Sequence, residues 1–424
     1  MSDRATPELA ALVGIDWADS QHVFVLQEVG SGKVERGEIT QTPEALSEWL
    51  VGLERRFEGR PVGICLETFR GPLVHALLEY AFIVLYPVNP KSLKRFREAF
   101  AISGAKDDPV DAELLLELLA KHGDRLHPWM PDDTQTRKLS RLTEARRELI
   151  DRRTRLTQQL RAELKGYYPQ ALDWTGHDLS SRLATDFLLR WPTIEAVQRA
   201  RPQALRKFYW SHNCRRKDLI EERVQAIRTA TPLTTDEAII EPSVLLVETL
   251  ARQIQALQPS IDRCDQRITE IFETHPDAEF FRGLPGSGPA LGPRLLVAFG
   301  TDRDRFDDAL EIQQYSGIAP VTERSGKHCQ VHWRWSASTF LRQSFHEFAA
   351  MSIQQSTWAR AYYKLQRERG KHHHAAVRAL AYKWIRILYR CWKDRVPYDE
   401  ARYLEALRKR RSPLVEHLEL PAAA

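Results

Sequence analysis

Four carboxylic acids near the start of the chain have the types and spacing that metal-dependent phosphoryl chemistry requires. Asp16 and Glu67 each follow a short apolar run, and Asp108 and Asp111 are three residues apart, so on a helix they share one face. Carboxylates brought together repel one another unless divalent cations neutralise them, and oxygen ligands favour Mg²⁺ or Mn²⁺. Two such ions clamp the attacking and leaving oxygens of a phosphodiester. The alternative for any one acid is a capping or exposed role, which is weakest for Asp16 because a charge in an apolar strand is costly without a partner.

A serine in the second half of the chain is a candidate nucleophile. Ser325 stands between Arg324 and Gly326-Lys327, in a segment expected to form a mobile, basic loop. A hydroxyl flanked by cations can attack a phosphate and form a covalent phosphoserine, which conserves the bond energy that strand exchange needs. A Ser-Gly pair without further context is more typical of an ordinary turn.

The basic residues are concentrated in two segments. The chain has 62 Lys and Arg against 57 Asp and Glu, but residues 357–411 hold 16 basic and five acidic residues, and residues 134–168 hold ten and four. Two basic segments on an otherwise acidic chain indicate contact with a polyanion, and solvated helix faces are the alternative. The residues expected to contact nucleic acid are Arg137, Lys138, Arg141, Arg324, Lys327, Arg408 and Arg411.

The first 125 residues alternate between strand and helix patterns. Apolar or alternating runs at 12–17, 22–26, 33–40, 61–66 and 82–88 predict strands, and helices are predicted at about 42–53, 72–80, 90–100 and 107–119. The order β-β-β-α-β-α-β-α-α is that of a ribonuclease H-like fold, in which the first and fourth strands are neighbours. A dinucleotide-binding fold is disfavoured because no G-x-G-x-x-G follows the first strand.

The rest of the chain reads as mostly helical. Leucines at helical spacing predict a long helix over 134–167, and a second over 236–274 that Pro259 interrupts or kinks. With an insert at about 170–235, these two helices predict an antiparallel coiled-coil arm. The Gly-rich stretch 284–292 resembles a loop between helices whose exposed N–H groups hold a phosphate backbone. His372, His373 and His374 are expected on a polar helix face.

Composition sets further limits. No run approaches 18 apolar residues, which disfavours a transmembrane helix, and Met1 to Arg4 do not open a signal peptide. A cytoplasmic protein is therefore expected. The five cysteines are widely spaced without a C-x-x-C pair, so a disulfide framework and a cysteine-type zinc site are disfavoured.

The DEDD-type insertion-sequence transposases, a group that includes the Piv-like DNA invertases, are the family that this chain resembles. The matching motifs are Gly14-Ile15-Asp16, Leu66-Glu67, Asn89-Pro90, Lys106-x-Asp108-x-x-Asp111-Ala112, Leu284-Pro285-Gly286-x-Gly288, Ser316-Gly317-Ile318-Ala319-Pro320 and Ser325-Gly326. They occur at about 1–125 and 280–400, in the family's order. The chain departs from the family at Asp107, where Thr or Ser is common, and after the serine, where a Gly-rich basic stretch is often found.

The resemblance implies a division of the chain and a mechanism. It implies a RuvC-like catalytic domain over 1–125, a helical region over 126–279, a C-terminal transposase domain over 280–411 and a tail over 412–424. It also implies a metal site formed by Asp16, Glu67, Asp108 and Asp111, with Ser325 as the catalytic serine. The expected partners are DNA, at the element ends and the target, a structured bridge RNA, and further copies of the chain, in which the serine of one subunit joins the metal site of another.

Three other functions remain open at this point. A metal-dependent nuclease of the Holliday-junction resolvase kind would hydrolyse DNA with water and would not need Ser325. An ATP-binding regulator of the actin-like kinase group shares the strand order, but its Gly-rich phosphate loops are missing from the sequence. A non-catalytic coiled-coil scaffold that binds nucleic acid would have no use for four converging acids.

Overall fold

The computed structural model describes residues 8–68, 70–100, 108–326 and 328–418. The chain forms two compact units, one made of Met1–Asp133 with Asp302–Arg342 and the other of Thr134–Thr301 with Gln343–Ala424. The segment that carries Ser325 therefore belongs to the same unit as the N-terminal acids. The domain limits given above remain predictions about how the chain is organised.

A five-stranded sheet is the centre of the first unit in the part of the chain that the structure describes. Its strands are β1 (Ala11–Asp16), β2 (Gln21–Glu28), β3 (Val34–Thr40), β4 (Val62–Leu66) and β5 (Ile83–Pro87). Their order across the sheet is β3-β2-β1-β4-β5. β2 pairs antiparallel with both β1 and β3, whereas β1, β4 and β5 are parallel. The prediction that the first and fourth strands are neighbours is confirmed.

Helices cover both faces of this sheet. They are α1 (Pro43–Arg56), α2 (Pro72–Leu77), α3 (Pro90–Phe100) and α4 (Asp108–His122). The α1 helix begins at the predicted cap, where Thr42 Oγ1 accepts a hydrogen bond from the Ala45 N–H. Apolar residues of α1 and α2 pack with Val13 and Ile15 of β1, and those of α3 and α4 pack with Cys65 of β4. Successive strand residues therefore face different helix layers.

Two long antiparallel helices, with an insert between them, form one part of the second unit. The helices are α5 (Thr134–Tyr167) and α11 (Glu237–Thr274), and the insert contains α6 (Ala171–Trp174), α7 (Arg182–Arg190), α8 (Ile194–Gln198), α9 (Pro202–Ser211) and α10 (Lys217–Thr229). The α5 bounds agree with the predicted helix. α11 continues through Pro242 and Pro259, so an interruption at Pro259 is wrong.

Side-chain contacts fix the antiparallel pairing of α5 and α11. Near one end the Thr136 hydroxyl lies 2.9 Å from His275 Nε2, and further along Arg153 donates to Gln258 Oε1 over 2.5 Å. Toward the other end Ser243 donates to Glu163. Residue numbers thus rise along one helix as they fall along the other, as predicted for the arm. The insert packs on this last end in a core with Leu160, Leu164, Leu250 and Ile254.

In the described residues, the C-terminal half continues with helices of 5 to 21 residues and a strand hairpin. Its elements are α12 (Ala278–Arg282), α13 (Gly288–Phe299), α14 (Ala309–Tyr315), β6 (Val321–Ser325), β7 (His328–His332), α15 (Thr339–Gln355), α16 (Thr357–Glu368), α17 (His373–Lys393) and α18 (Glu400–Lys409). A 3₁₀ turn over Pro413–His417 follows and buries Leu414, so the start of the expected tail is packed. Among the described residues, no helix is both long enough and apolar enough to cross a membrane.

Candidate active site

Asp16 and Glu67 lie side by side at one edge of the sheet. Asp16 is the last residue of β1, and Glu67 directly follows β4. The two strands are parallel, and Ile15 is paired with Leu66, so the two acids occupy the next position in register. Neighbouring strands are separated by about 4.8 Å. The register therefore brings the first two predicted acids together, and both side chains are half-buried.

The α4 helix, on which the other two predicted acids lie, packs against β1 and β4. Gly14 of β1 lies directly beneath it, because an added Cβ would stand 2.1 Å from the Ala112 carbonyl oxygen. At the start of β4, a Cβ on Gly63 would stand 3.5 Å from the Leu119 side chain. α4 thus runs antiparallel to β1 and β4, with its N-terminal end over their C-terminal ends. Asp111 is next to Ala112, near the N-terminal end of this helix.

Of the four predicted acids, Asp108 is described only in its backbone. The backbone of Asp108 begins α4, one turn before Ala112, but its side chain lies outside the described residues, as does all of Asp107. Among the residues that are described, no three His, Cys, Asp or Glu side chains form a group that could hold a metal ion. The assignment of all four acids as metal ligands therefore stays a prediction.

Asp111 has a partner that the sequence did not indicate. Its carboxylate is buried and forms an ion pair with the Arg97 guanidinium on α3. A buried carboxylate needs such compensation, because removing a charge from water is costly. The only sequence signal for this pair was a basic residue in the last turn of α3.

Ser325 lies in a strand hairpin, so the expectation of a mobile loop is wrong. It is the exposed last residue of β6 and is paired in register with His328 of β7. Gly326 turns the chain with φ 59°, a left-handed conformation that glycine adopts without strain. Arg324 is exposed beside the serine, and Lys327 lies outside the described residues. The hairpin presents the hydroxyl at the tip of a two-stranded ribbon.

The segment before this hairpin is buried and tightly packed. Ser316, Ile318 and Ala319 are at most 4% exposed. Gly317 has φ 72°, and a Cβ there would lie 2.7 Å from the Ala337 Cβ. Only glycine satisfies both constraints. The Ser-Gly-Ile-Ala-Pro motif therefore anchors the hairpin that carries Ser325.

The predicted nucleic-acid contacts on the long helices are exposed. Arg137, Lys138 and Arg141 share a face of α5 opposite the buried Thr136 and Leu139. Arg408 and Arg411, at the end of α18, are also exposed, as are His372, His373 and His374 before and within the first turn of α17. These positions suit contact with phosphates, but contact itself remains a prediction.

The Gly-rich loop before α13 is used for packing. The Gly286 N–H donates to Gln355 Oε1 over 2.8 Å, and a Cβ on Gly286 would lie 2.7 Å from the Met351 carbonyl carbon of α15. Ser287 is buried and its hydroxyl donates to the Leu284 carbonyl oxygen. At Gly286, therefore, the N–H that was expected to hold a phosphate is already engaged within the protein.

Two transposase family models match separate parts of this chain. A family model described as "Transposase", for the DEDD domain of the IS110 group, matches residues 13–169. A second, described as "Transposase IS116/IS110/IS902 family", matches residues 278–364. The matches include the sheet edge with its acids and the serine hairpin, and they leave the insert uncovered.

Bacterial insertion-element proteins are similar over nearly the whole chain. The "Mini-circle putative transposase for IS117" of Streptomyces coelicolor is 29% identical over 401 residues, which is 93% of this chain and 96% of that protein. The "Insertion element IS900 uncharacterized 42 kDa protein" of Mycobacterium paratuberculosis is 25% identical over 92% and 97% of the two chains. The corresponding IS116 protein of Streptomyces clavuligerus is 27% identical over 76% and 79%.

Proposed function

We propose that this chain, which matches two transposase family models and is similar to proteins of the IS110/IS116/IS117 group, is a DNA transposase or site-specific recombinase with a DEDD acid site and a serine nucleophile. The observation that supports the proposal is the parallel register of β1 and β4, which brings Asp16 and Glu67 to neighbouring positions where the two strands end. Asp111 would join them from α4. Asp108 would complete the set from the first turn of α4.

The donor set suits a hard divalent cation. Asp16, Glu67, Asp108 and Asp111 offer oxygen ligands only, which Mg²⁺ and Mn²⁺ prefer. When bound, such ions supply positive charge that polarises a scissile phosphate and stabilises its leaving oxygen. The chain's own contribution is to hold the carboxylates in place, through the strand register and through the contact of Gly14 with α4.

Ser325 would make and later break a covalent link to DNA. In the first step its Oγ forms a bond to phosphorus, the bond to a deoxyribose oxygen breaks, and the hydroxyl proton passes in net to that oxygen. In the second step a deoxyribose hydroxyl of another strand attacks the phosphoserine and returns the serine hydroxyl. The bond count is conserved, so no nucleotide triphosphate is needed. Arg324, which precedes Ser325 on the same exposed strand, would add positive charge to the hairpin that meets the DNA.

The proposal includes partners. DNA at the element ends and at the target would be the substrate, bound in part through the exposed basic face of α5. A structured bridge RNA would choose the sites, and the chain would act as a homo-oligomer in which Ser325 of one copy completes the acid site of another. The grouping with the Piv-like DNA invertases is part of the same proposal. These points are supported by the motif resemblance and by the exposure of Ser325 at a hairpin tip.

The central experiment traps the covalent intermediate. Full-length protein is incubated with suicide DNA substrates, Mg²⁺ and its associated RNA, denatured, and examined for a protein–DNA adduct. We expect wild type to form the adduct, Ser325→Ala to bind DNA without forming it, and Asp16→Asn or Glu67→Gln to abolish cleavage. Thr322→Ala on the same hairpin and Asp19→Asn in an exposed turn are the matched controls and should behave as wild type.

The other candidate functions give different results in this assay. If Ser325→Ala recombines DNA at the normal rate, the serine mechanism is wrong and a nuclease that activates water becomes the better explanation. If the Asp16 and Glu67 variants cleave DNA as wild type does, the acids are not catalytic. If wild type binds nucleic acid but neither cleaves DNA nor forms an adduct, a non-catalytic nucleic-acid-binding scaffold is favoured.

A further inference from the structure

The insert between the two long helices has an exposed patch that combines one tryptophan with several cations. We call it the Trp210 patch, and its residues are Arg206, Lys207, Trp210, Arg215, Arg216 and Lys217. All of them are exposed, and the Trp210 side chain is 49% exposed. The patch lies outside both family-model matches, which cover residues 13–169 and 278–364. It is therefore a feature that the transposase domains do not account for.

The α9 helix separates its apolar and polar faces sharply. Leu205, Phe208 and Tyr209 are at most 5% exposed and belong to the core of the insert. Arg206 and Lys207 precede Trp210 by four and three residues, so the three side chains lie on one face of the helix. Since the core is already filled by other aromatic residues on the opposite side, Trp210 is not part of it. The helix presents the indole and two cations together to solvent.

The turn after α9 is built to hold an arginine against this indole. The Arg215 guanidinium carbon lies 4.4 Å from the Trp210 ring centroid, and its Nη1 donates to the Trp210 carbonyl oxygen over 2.8 Å. Its Nη2 donates to Asn213 Oδ1, and Asn213 has a left-handed backbone with φ 60°. His212 anchors the turn by contacting Asp186 over 2.9 Å. The arginine and the indole thus form a fixed pair rather than two mobile side chains.

The stretch that ends at the start of α10 is strongly basic. Residues 199–217 contain seven Lys and Arg and no Asp or Glu. Arg206 is neutralised by Glu221, which it contacts through both Nε and Nη2 over 2.7 Å. Lys207, Arg216 and Lys217 are exposed within seven residues of Trp210 in the sequence and make this stretch cationic. A chain of phosphates satisfies these cations, and an unpaired base fits the exposed indole surface, because base–aromatic stacking requires only a free π-face.

We propose that the Trp210 patch binds a single-stranded segment of nucleic acid. One unpaired base would stack on Trp210, whose indole is held by Arg215, and the flanking phosphates would contact Lys207, Arg216 and Lys217. Duplex is a poorer ligand, since its bases are stacked on one another and unavailable to the indole. The inference rests on the proposed function in one respect, that nucleic acid is the chain's partner. It adds a second contact region, remote in sequence from the acids and from the serine.

The experiment measures binding and cross-linking with the full-length chain. The probes are an oligo(U) and an oligo(dT), each of about 20 nucleotides and containing one photoreactive thio-base, and a duplex of the same length. We expect both single strands to cross-link to the peptide that contains Trp210. Trp210→Ala should weaken single-strand binding about tenfold, as expected for loss of one stacked base, and Trp210→Phe should retain most of it. Comparison of the two single strands shows whether RNA or DNA is the natural source.

A control variant with the same loss of charge distinguishes contact at the Trp210 patch from nonspecific attraction between the protein and nucleic acid. Lys207→Gln, Arg216→Gln and Lys217→Gln together should weaken binding and remove the cross-link. Arg252→Gln, Arg263→Gln and Arg267→Gln on the exposed side of α11 remove the same charge and should change neither. Equal binding by wild type and Trp210→Ala, or a cross-link that appears only with duplex, would overturn the proposal.

The outcome can be told apart from a failure of the proposed function. The Trp210→Ala protein is tested in parallel for the Ser325–DNA adduct at saturating substrate, where binding no longer limits the yield. If wild type forms no adduct but its single-strand binding depends on Trp210, the patch assignment holds and the recombinase assignment fails. If wild type forms the adduct and Trp210→Ala binds single strands as tightly as wild type does, the recombinase assignment holds and the patch assignment fails.

Discussion

The Arg97 guanidinium and the Asp111 carboxylate form an ion pair between α3 and α4, with the two side chains 19% and 5% exposed. The cation occupies a place beside one of the proposed metal ligands. When one partner of a buried pair is removed, the other is left as an uncompensated charge, which costs about 3–5 kcal/mol. Arg97 therefore stabilises the buried Asp111 carboxylate when no metal ion neutralises that carboxylate.

The first prediction follows from this pair. Arg97→Met should lower the free energy of unfolding by about 3 kcal/mol in the absence of divalent ions, measured by urea denaturation. If Asp111 binds Mg²⁺, the ion should restore more stability to this variant than it adds to wild type. Lys94→Met, at an exposed position on the same helix, is the control. A variant whose loss of stability is the same with and without Mg²⁺ would count against Asp111 as a ligand.

The second prediction concerns the contact that places α4. Gly14→Ala puts a Cβ 2.1 Å from the Ala112 oxygen and 2.5 Å from the Leu116 nitrogen, so the backbone of the helix must move. We expect a loss of about 3 kcal/mol, at the upper end for overpacking, together with loss of DNA cleavage. Gly52→Ala is the matched control, because a Cβ there meets nothing within 4 Å and an alanine favours the α1 helix. Full activity in Gly14→Ala would show that the position of α4 does not matter for catalysis.

The third prediction concerns salt. Each phosphate contact releases condensed counterions, so the logarithm of affinity should fall linearly with the logarithm of salt concentration. Replacing Arg137, Lys138 and Arg141 with Gln should make the slope for duplex DNA shallower by about 2–3, since each lost contact contributes about 0.9. Fluorescence anisotropy at several salt concentrations measures it. An unchanged slope would remove the basic face of α5 from the binding surface.

The fourth prediction concerns pH. Burial lowers the pKa of His346, and His374 lies 5.5 Å away between ring centroids. The unfolded chain therefore binds a proton at His346 more readily than the folded protein does, and the free energy of unfolding should decrease as pH falls below about 6.5. His346→Gln should reduce this dependence in denaturation curves recorded across pH, whereas His177→Gln, at an exposed position, should not. An identical pH profile for wild type and His346→Gln would contradict the assignment.

Much of the fold could be predicted because local patterns agree with tertiary structure. The leucine spacing from Thr134 to Tyr167 gave the α5 bounds, and Thr42 marked the start of α1. The hairpin with Ser325 could not be predicted as well, since β6 and β7 are largely exposed and lack the alternation of apolar residues that marks a half-buried strand. The sequence shows a turn residue at Gly326, but no pattern in it predicts that the two polar strands on either side are paired.

The acid site was predictable in part for a similar reason. Asp16 and Glu67 follow apolar strand runs, and parallel pairing alone brings them together. Arg97 was not predictable, because its contact with Asp111 depends on how α3 packs against α4, and no sequence period records that packing. The role of Gly14 was also hidden, since a single glycine in a strand does not say which backbone lies above it.

The insert enters and leaves the long helices at adjacent positions, as the hydrogen bond between Ser243 and Glu163 shows. A segment whose two ends lie close together can be shortened without displacing the elements on either side of it. A truncated gene that joins α5 to α11 directly would leave Leu160, Leu164, Leu250 and Ile254 without the cover that the insert provides. A minimal version of this protein therefore needs polar replacements at those four positions to stay free of aggregation.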